Sequence, residues 1–188
     1  LGMTKTITVK GVGSVSVKPD HIILTLSITE KDMDYEAAIE GAAKRISKLE
    51  AAAMAAGFEK GALKTLSFNV DTRYESVRDG DGNYQSVFAG YACSYRLKLA
   101  FDLDNERLAA VLTAVAASGA EPELGIAFTV KDPAKVDEEL LASAAANARE
   151  KAQVLCAASG VGLGELLSID YDWDELRIVS KTRYEVAD

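Results

Sequence analysis

The residues that could do chemistry are few, and their spacing works against them. Asp79-x-Asp81-x-Asn83 offers the oxygen donors that open a calcium loop. The position that should be a turn glycine is Tyr84, and the position of the bidentate glutamate is Gly90. The flanking patterns read as strands where helices are required, so this stretch reads as a hairpin turn. Asp170, Asp172 and Asp174 share strand parity and could face a cation, but such a row is more often a solvated face. Gly11-Val12-Gly13 lacks the third glycine of a dinucleotide fingerprint, because position 16 is Ser16, and a strand pattern follows instead of a helix. Gly160-Val161-Gly162-Leu163-Gly164 follows a helical pattern and precedes a strand pattern. A phosphate loop needs the reverse order, since a helix N-terminus supplies the N–H donors. His21, the single histidine, stands at a strand start on the polar face with no partner identifiable from spacing, and reads as solvated. Cys93 and Cys156 form no CxxC pair and read as two buried thiols, with a disulfide between them left open by spacing. No serine or cysteine sits in a nucleophile-elbow pattern. No catalytic, cofactor-binding or metal-binding residue is therefore expected.

The elements around these residues are clearer. A hairpin from Leu63 to Phe101 dominates the chain. In its first arm Leu66, Phe68, Val70 and Tyr74 fall on one face; in its second, Val87, Ala89, Tyr91, Cys93, Tyr95, Leu97, Leu99 and Phe101 do. Each arm is two to three times the usual strand length of about 5–6 residues, so the tip is expected to project from its sheet. Before it, Thr6–Val17 reads as a strand bent at the glycine pair, and His21–Lys31 as a strand with Ile22, Leu24, Leu26 and Ile28 inward. Asp34–Ala56 then carries a helical stripe of Tyr35, Ile39, Ala42, Ile46, Leu49 and Ala53. After the hairpin, the pattern predicts a helix over Asp104–Ser118 and a strand over Glu121–Lys131 with Leu124, Ile126, Phe128 and Val130 inward. Asp132-Pro133 opens a helix to about Ser159, with Val136, Leu140, Ala144, Ala148, Ala152 and Leu155 on its inner face. Strands over Leu166–Trp173 and Leu176–Ser180 close the chain. The fold class this predicts is α+β: a two-layer sandwich, its sheet largely antiparallel, with three helices on one face and a long projecting β-hairpin. The 188 residues are expected to form a single domain of two interleaved halves, about 1–77 and 84–188.

Composition narrows the classes of partner. A formal net charge of −8 disfavours sequence-independent nucleic-acid binding and docking on an anionic membrane. No apolar run approaches the roughly 20 residues that span a bilayer. Leu1-Gly2-Met3-Thr4-Lys5 leads directly into a strand pattern without a signal peptide, which is the basis for expecting a cytoplasmic protein that starts at Met3.

The run Ile7-Thr8-Val9-Lys10-Gly11-Val12-Gly13-Ser14-Val15-Ser16-Val17-Lys18-Pro19-Asp20 resembles the opening signature of the SIMPL-domain family. Gly90-Tyr91, Gly125-Ile126-Ala127-Phe128-Thr129-Val130, the stretch Ala144 to Ala152 and the stretch Gly160 to Ile169 are similar to later family motifs, in the right order over nearly the whole chain. The resemblance implies an α+β sandwich fold and a biochemistry that is mostly unknown. It also implies kinship with periplasmic immunogenic proteins, from which this sequence departs in lacking a signal peptide, with members linked to oxidative-stress defence and with members that assemble into large rings. It carries over no catalytic residue. The function expected is that of a non-enzymatic, self-associating domain, a scaffold or accessory protein in stress response. The rival readings are a binding module for a small apolar ligand and an uncharacterised hydrolase. A homo-oligomer is expected, with Tyr74, Val77, Tyr84, Val87 and Phe88 at the hairpin tip as the self-association residues; a long exposed strand pair is an association hazard unless covered.

Overall fold

The computed structural model describes residues 5–171, which fall into two compact units. The first runs from Pro19 to Lys131. Its elements are β1 (His21–Asp32), α1 (Tyr35–Ala55), β2 (Lys64–Arg78), β3 (Tyr84–Asp102), α2 (Asn105–Ala117) and β4 (Glu123–Thr129). The sheet is antiparallel with order β2-β3-β1-β4. Asp34 and Asp104 accept N–H bonds from Ala37 and Arg107 at the starts of α1 and α2, so each helix begins where a carboxylate satisfies free amides.

Period-two alternation becomes a core because register aligns it. Ile22, Leu24, Leu26 and Ile28 of β1 stand opposite Phe101, Leu99, Leu97 and Tyr95 of β3. Paired residues of adjacent strands share a face. α1 lies over β1 and β3, and α2 packs on α1, burying this face together with Ala38, Ala42, Leu49, Val111 and Val115. Leu124, Ile126 and Phe128 of β4 are also on this face, opposite Leu26, Leu24 and Ile22. They remain partly exposed, since among the described residues neither α1 nor α2 reaches β4. The opposite face is polar, with Thr25, Ser27, Arg96 and Lys98 in adjacent positions.

The second unit joins residues 5–18 to α3 (Pro133–Ala158) and the residues after it up to Tyr171. Among the described residues, the strand expected over Thr6–Val17 finds no ladder partner. The glycine pair serves close approach instead. A Cβ on Gly11 would collide with the Ala144 carbonyl and come within 2.8 Å of Ala148 Cβ. One on Gly13 would collide with the Leu140 carbonyl and lie 3.1 Å from Ala144 Cβ. Polar groups of the segment's backbone find partners among the helix side chains. Val12 N–H donates to Asn147 Oδ1 (3.0 Å), and Lys151 Nζ donates to the Lys10 carbonyl (3.0 Å). Ser143 Oγ both accepts from Ser14 N–H and donates to the Ser14 carbonyl, at 3.2 Å each. Two of the motif runs noted in the sequence thus explain each other: small residues on both sides let the chains touch, and Asn147 and Lys151 bind what the contact exposes.

The expected inner stripe of α3 holds at Leu140, Ala144, Ala148 and Ala152, but Leu155 is exposed and Cys156 is buried in its place. Gly160 ends the helix in the left-handed region, with Val161 N–H bonded to the Cys156 carbonyl at 2.9 Å. Residues 166–171 of the expected Leu166–Trp173 strand find no ladder partner among the described residues. The rest of that strand, the expected Leu176–Ser180 strand, and Asp172 and Asp174 lie outside the described residues.

Candidate functional site

The long hairpin outruns its sheet. β1 ends at Asp32, opposite Tyr91. β2 and β3 continue to pair from Tyr74↔Phe88 to Arg78↔Tyr84, and among the described residues no third strand accompanies them there. The turn is made by Asp79. Its N–H donates to the Asn83 carbonyl (2.8 Å), and its Oδ1 accepts from the N–H groups of Asp81 (3.0 Å) and Asn83 (2.9 Å). Gly82 takes φ +88°, which suits glycine. The calcium-like spacing is that of a turn whose first carboxylate is spent on its own backbone.

Where the hairpin leaves the sheet, β3 carries one extra residue. Thr72 pairs with Tyr91, and the next regular pair is Tyr74 with Phe88. Gly90 sits in this bulge at φ +96°, where a Cβ would also collide with the Asp32 carbonyl and come within 3.0 Å of Met33 Cα. The bulge reverses the parity of β3. Val87 and Ala89 were expected on the face of Tyr91; that face is taken by Phe88, and with it Ser86 and Tyr84. The rings confirm the switch: Tyr35–Tyr91, Tyr91–Phe88 and Phe88–Tyr74 have centroids 5.3, 5.4 and 6.1 Å apart, all edge-on. An aromatic file therefore runs from the start of α1 out along the hairpin. Val77 and Val87 lie on the other face; with Met33, Glu75, Ala89 and, from the aromatic file, Phe88 they line a shallow concavity of about 260 Å³. All five residues singled out at the tip are exposed, from Phe88 at 40 % to Tyr84 at 72 %. They are split between two faces rather than gathered on one.

His21 Nδ1 lies 3.5 Å from Asp102 Oδ1 without forming a directed hydrogen bond. Lys131 Nζ donates to the same oxygen at 3.2 Å, and the Lys131 bond and charge, with His21 behind them, hold the Asp102 carboxyl below the usual range. Cys93 is fully buried, and burial followed by the nearby Glu30 charge pushes its thiol up, the opposite of an activated nucleophile. Cys156 is also buried, and both thiols are free. A wider concavity of about 470 Å³ on the polar face is lined by Thr25, Ser27, Arg96, Glu123 and Gly125 among others. Its hydroxyls and charges stand in rows fixed by the pleat.

One cluster escaped the sequence reading. Arg45 on α1 donates Nε to the Ala120 carbonyl (2.9 Å), Nη1 to the Thr29 carbonyl (2.9 Å) and Glu30 Oε2 (3.2 Å), and Nη2 to the Glu121 carbonyl (3.1 Å). It ties helix, strand end and the loop before β4 together, and Glu30 packs against Gly41. Gly41 inside a helix, four residues before an arginine beside the apolar stripe, was the available signal.

Comparison with known proteins adds a family. Two curated relatives are the 26 kDa periplasmic immunogenic proteins of Brucella melitensis biotype 1, 28% identical over 164 residues, and Brucella abortus strain S19, 27% identical over the same length. In both cases the match covers 87% of this chain and 65% of the relative, so the chain spans about two thirds of their length. Both are named as periplasmic, and the cytoplasmic placement expected from residues 1–5 finds no support in them. A solved structure with partial likeness is CutA from Synechococcus elongatus, 12% identical, covering 68% of this chain and 93% of that one; its TM-score of 0.27 is too low to inform fold or function. A model of the SIMPL family, described as a protein of unknown function (DUF541), matches residues 7–186, and the chain belongs to that family.

Proposed function

We propose that this protein is a non-enzymatic, self-associating domain and that the extension of β2 and β3 beyond β1 is its assembly element. The observation that carries this reading is the exposure of Tyr74, Val77, Tyr84, Val87 and Phe88 on a strand pair that no third strand accompanies among the described residues. Apolar groups gathered on an open strand pair favour a partner, and aromatic residues make good anchors. A self-associating domain can act as a scaffold or accessory protein, and the family resemblance points to stress defence as its setting. The alternative of an apolar ligand held between sheet and helices gains little from the Pro19–Lys131 unit, whose interior is filled by Ile22, Leu24, Leu26, Leu97, Leu99 and Leu49.

The test replaces Arg73–Gly90 with an Asn-Gly turn, joining Thr72 to Tyr91, which already face each other. Light scattering at micromolar concentration should show the shortened protein folded and smaller in assembly than wild type. A shortened protein with the wild-type mass, or a wild type that is already monomeric, overturns the proposal.

A further inference from the structure

Among the described residues, the two edges of the sheet are not alike. β4 is an edge of seven residues, bracketed in sequence by Pro122 and Pro133. β2 is an edge of 15 residues. Proteins blunt long edges with bulges, prolines or short strands, because unpaired N–H and C=O groups invite another chain. β2 has one extra residue, Leu66, near its start; the second irregularity, at Gly90, falls on β3. The outer edge of β2 is therefore regular from Ser67 to Arg78 and has no proline.

The hairpin closure fixes which groups point outward. Asp79 bonds Asn83 across the pair, so by alternation Val77 and Glu75 turn their amides to β3, while Thr72, Tyr74 and Ser76 turn theirs to the open side. The side chains around Tyr74 are self-complementary. Arg73 and Glu75 flank it on the opposite face and already touch at 3.4 Å.

We infer that two copies of this chain join their β2 edges as antiparallel neighbours about a two-fold axis at Tyr74. This rests on the self-association proposed above and specifies its geometry. In that register Tyr74 meets Tyr74 of the second copy as a hydrogen-bonded pair, and Thr72 meets the second copy's Ser76. On the other face Arg73 stands opposite the second copy's Glu75, and Glu75 opposite its Arg73. A two-fold interface needs this self-matching, since the same patch serves both partners. The aromatic file Tyr35–Tyr91–Phe88–Tyr74 becomes continuous across the axis. A register centred on Thr72 would instead set Arg73 against Asp71, whose carboxylate is already held by Asn69 Nδ2 at 2.6 Å.

A charge exchange tests the register. Arg73→Glu and Glu75→Arg each place like charges across the proposed axis, and each should weaken dimerisation roughly tenfold or more by sedimentation equilibrium. The double variant Arg73→Glu/Glu75→Arg restores both pairs and should regain most of the wild-type affinity. A wild-type dimer that tolerates both single changes, or a double variant that stays as weak as Arg73→Glu alone, overturns this register while leaving the assembly role of the hairpin to stand. A wild type that is monomeric overturns both.

Discussion

The base and the tip of the hairpin have the same alternating chemistry and opposite fates. At the base, Cys93, Leu97 and Leu99 are buried beneath α1. At the tip, Tyr74 and Tyr84 are 64 % and 72 % exposed. The difference does not lie in the arms. It lies in what the rest of the chain brings to them: α1 covers β1 and β3, and β1 stops at Asp32. Alternation creates an apolar face, but a cover has to come from another element or another molecule. The Gly90 bulge marks the boundary between the two regimes, where β3 changes which residues it turns toward that face.

The comparison breaks most sharply at Cys93. Cys93→Asp would place a second acid opposite Glu30 in a fully buried position and should abolish soluble expression, whereas Cys93→Ala should cost only about 1–2 kcal/mol in denaturant melts. Rapid labelling of native Cys93 by a thiol reagent would show that the base is not the closed core described. At the boundary, Gly90→Val adds a side chain at positive φ against the Asp32 backbone. The expected loss is ~3 kcal/mol, with Phe88 no longer aligned with Tyr91; a variant as stable as wild type would mean that the bulge does not set the face. The tip should be far less sensitive. Tyr74→Ser and Phe88→Ser should each lower monomer stability by no more than ~0.5–1 kcal/mol while shifting assembly toward smaller species. If either unfolds the monomer, the tip belongs to the core.

Much of the fold was legible because local signals agreed. Asp104 and Asp132 cap their helices where the sequence places them, Asp34 rather than Asp32 caps α1, and the alternation of β1 and of the base of β3 matches their burial. The failures have physical causes. Residues 5–17 alternate like a strand, but Gly11 and Gly13 bring them against α3, and periodicity cannot reveal that their backbone will also bond Asn147 and Ser143. Val87 and Ala89 depart from the expected parity because a one-residue bulge inverts a period of two, and a single glycine in a strand announces it only faintly. At the candidate site, the exposure of the five tip residues was foreseeable from arm length, whereas their division between two faces required the register. The Arg45 cluster draws on carbonyls at positions 29, 120 and 121, which no local pattern connects.

Amide hydrogen exchange at two protein concentrations measures base and tip in one experiment. Assembly through the hairpin predicts that amides of Cys93–Phe101 are protected equally at both concentrations, while Thr72, Tyr74 and Ser76 become protected only at the higher one. Tip amides whose exchange does not change with concentration, across a range in which the protein's mass does, would contradict it.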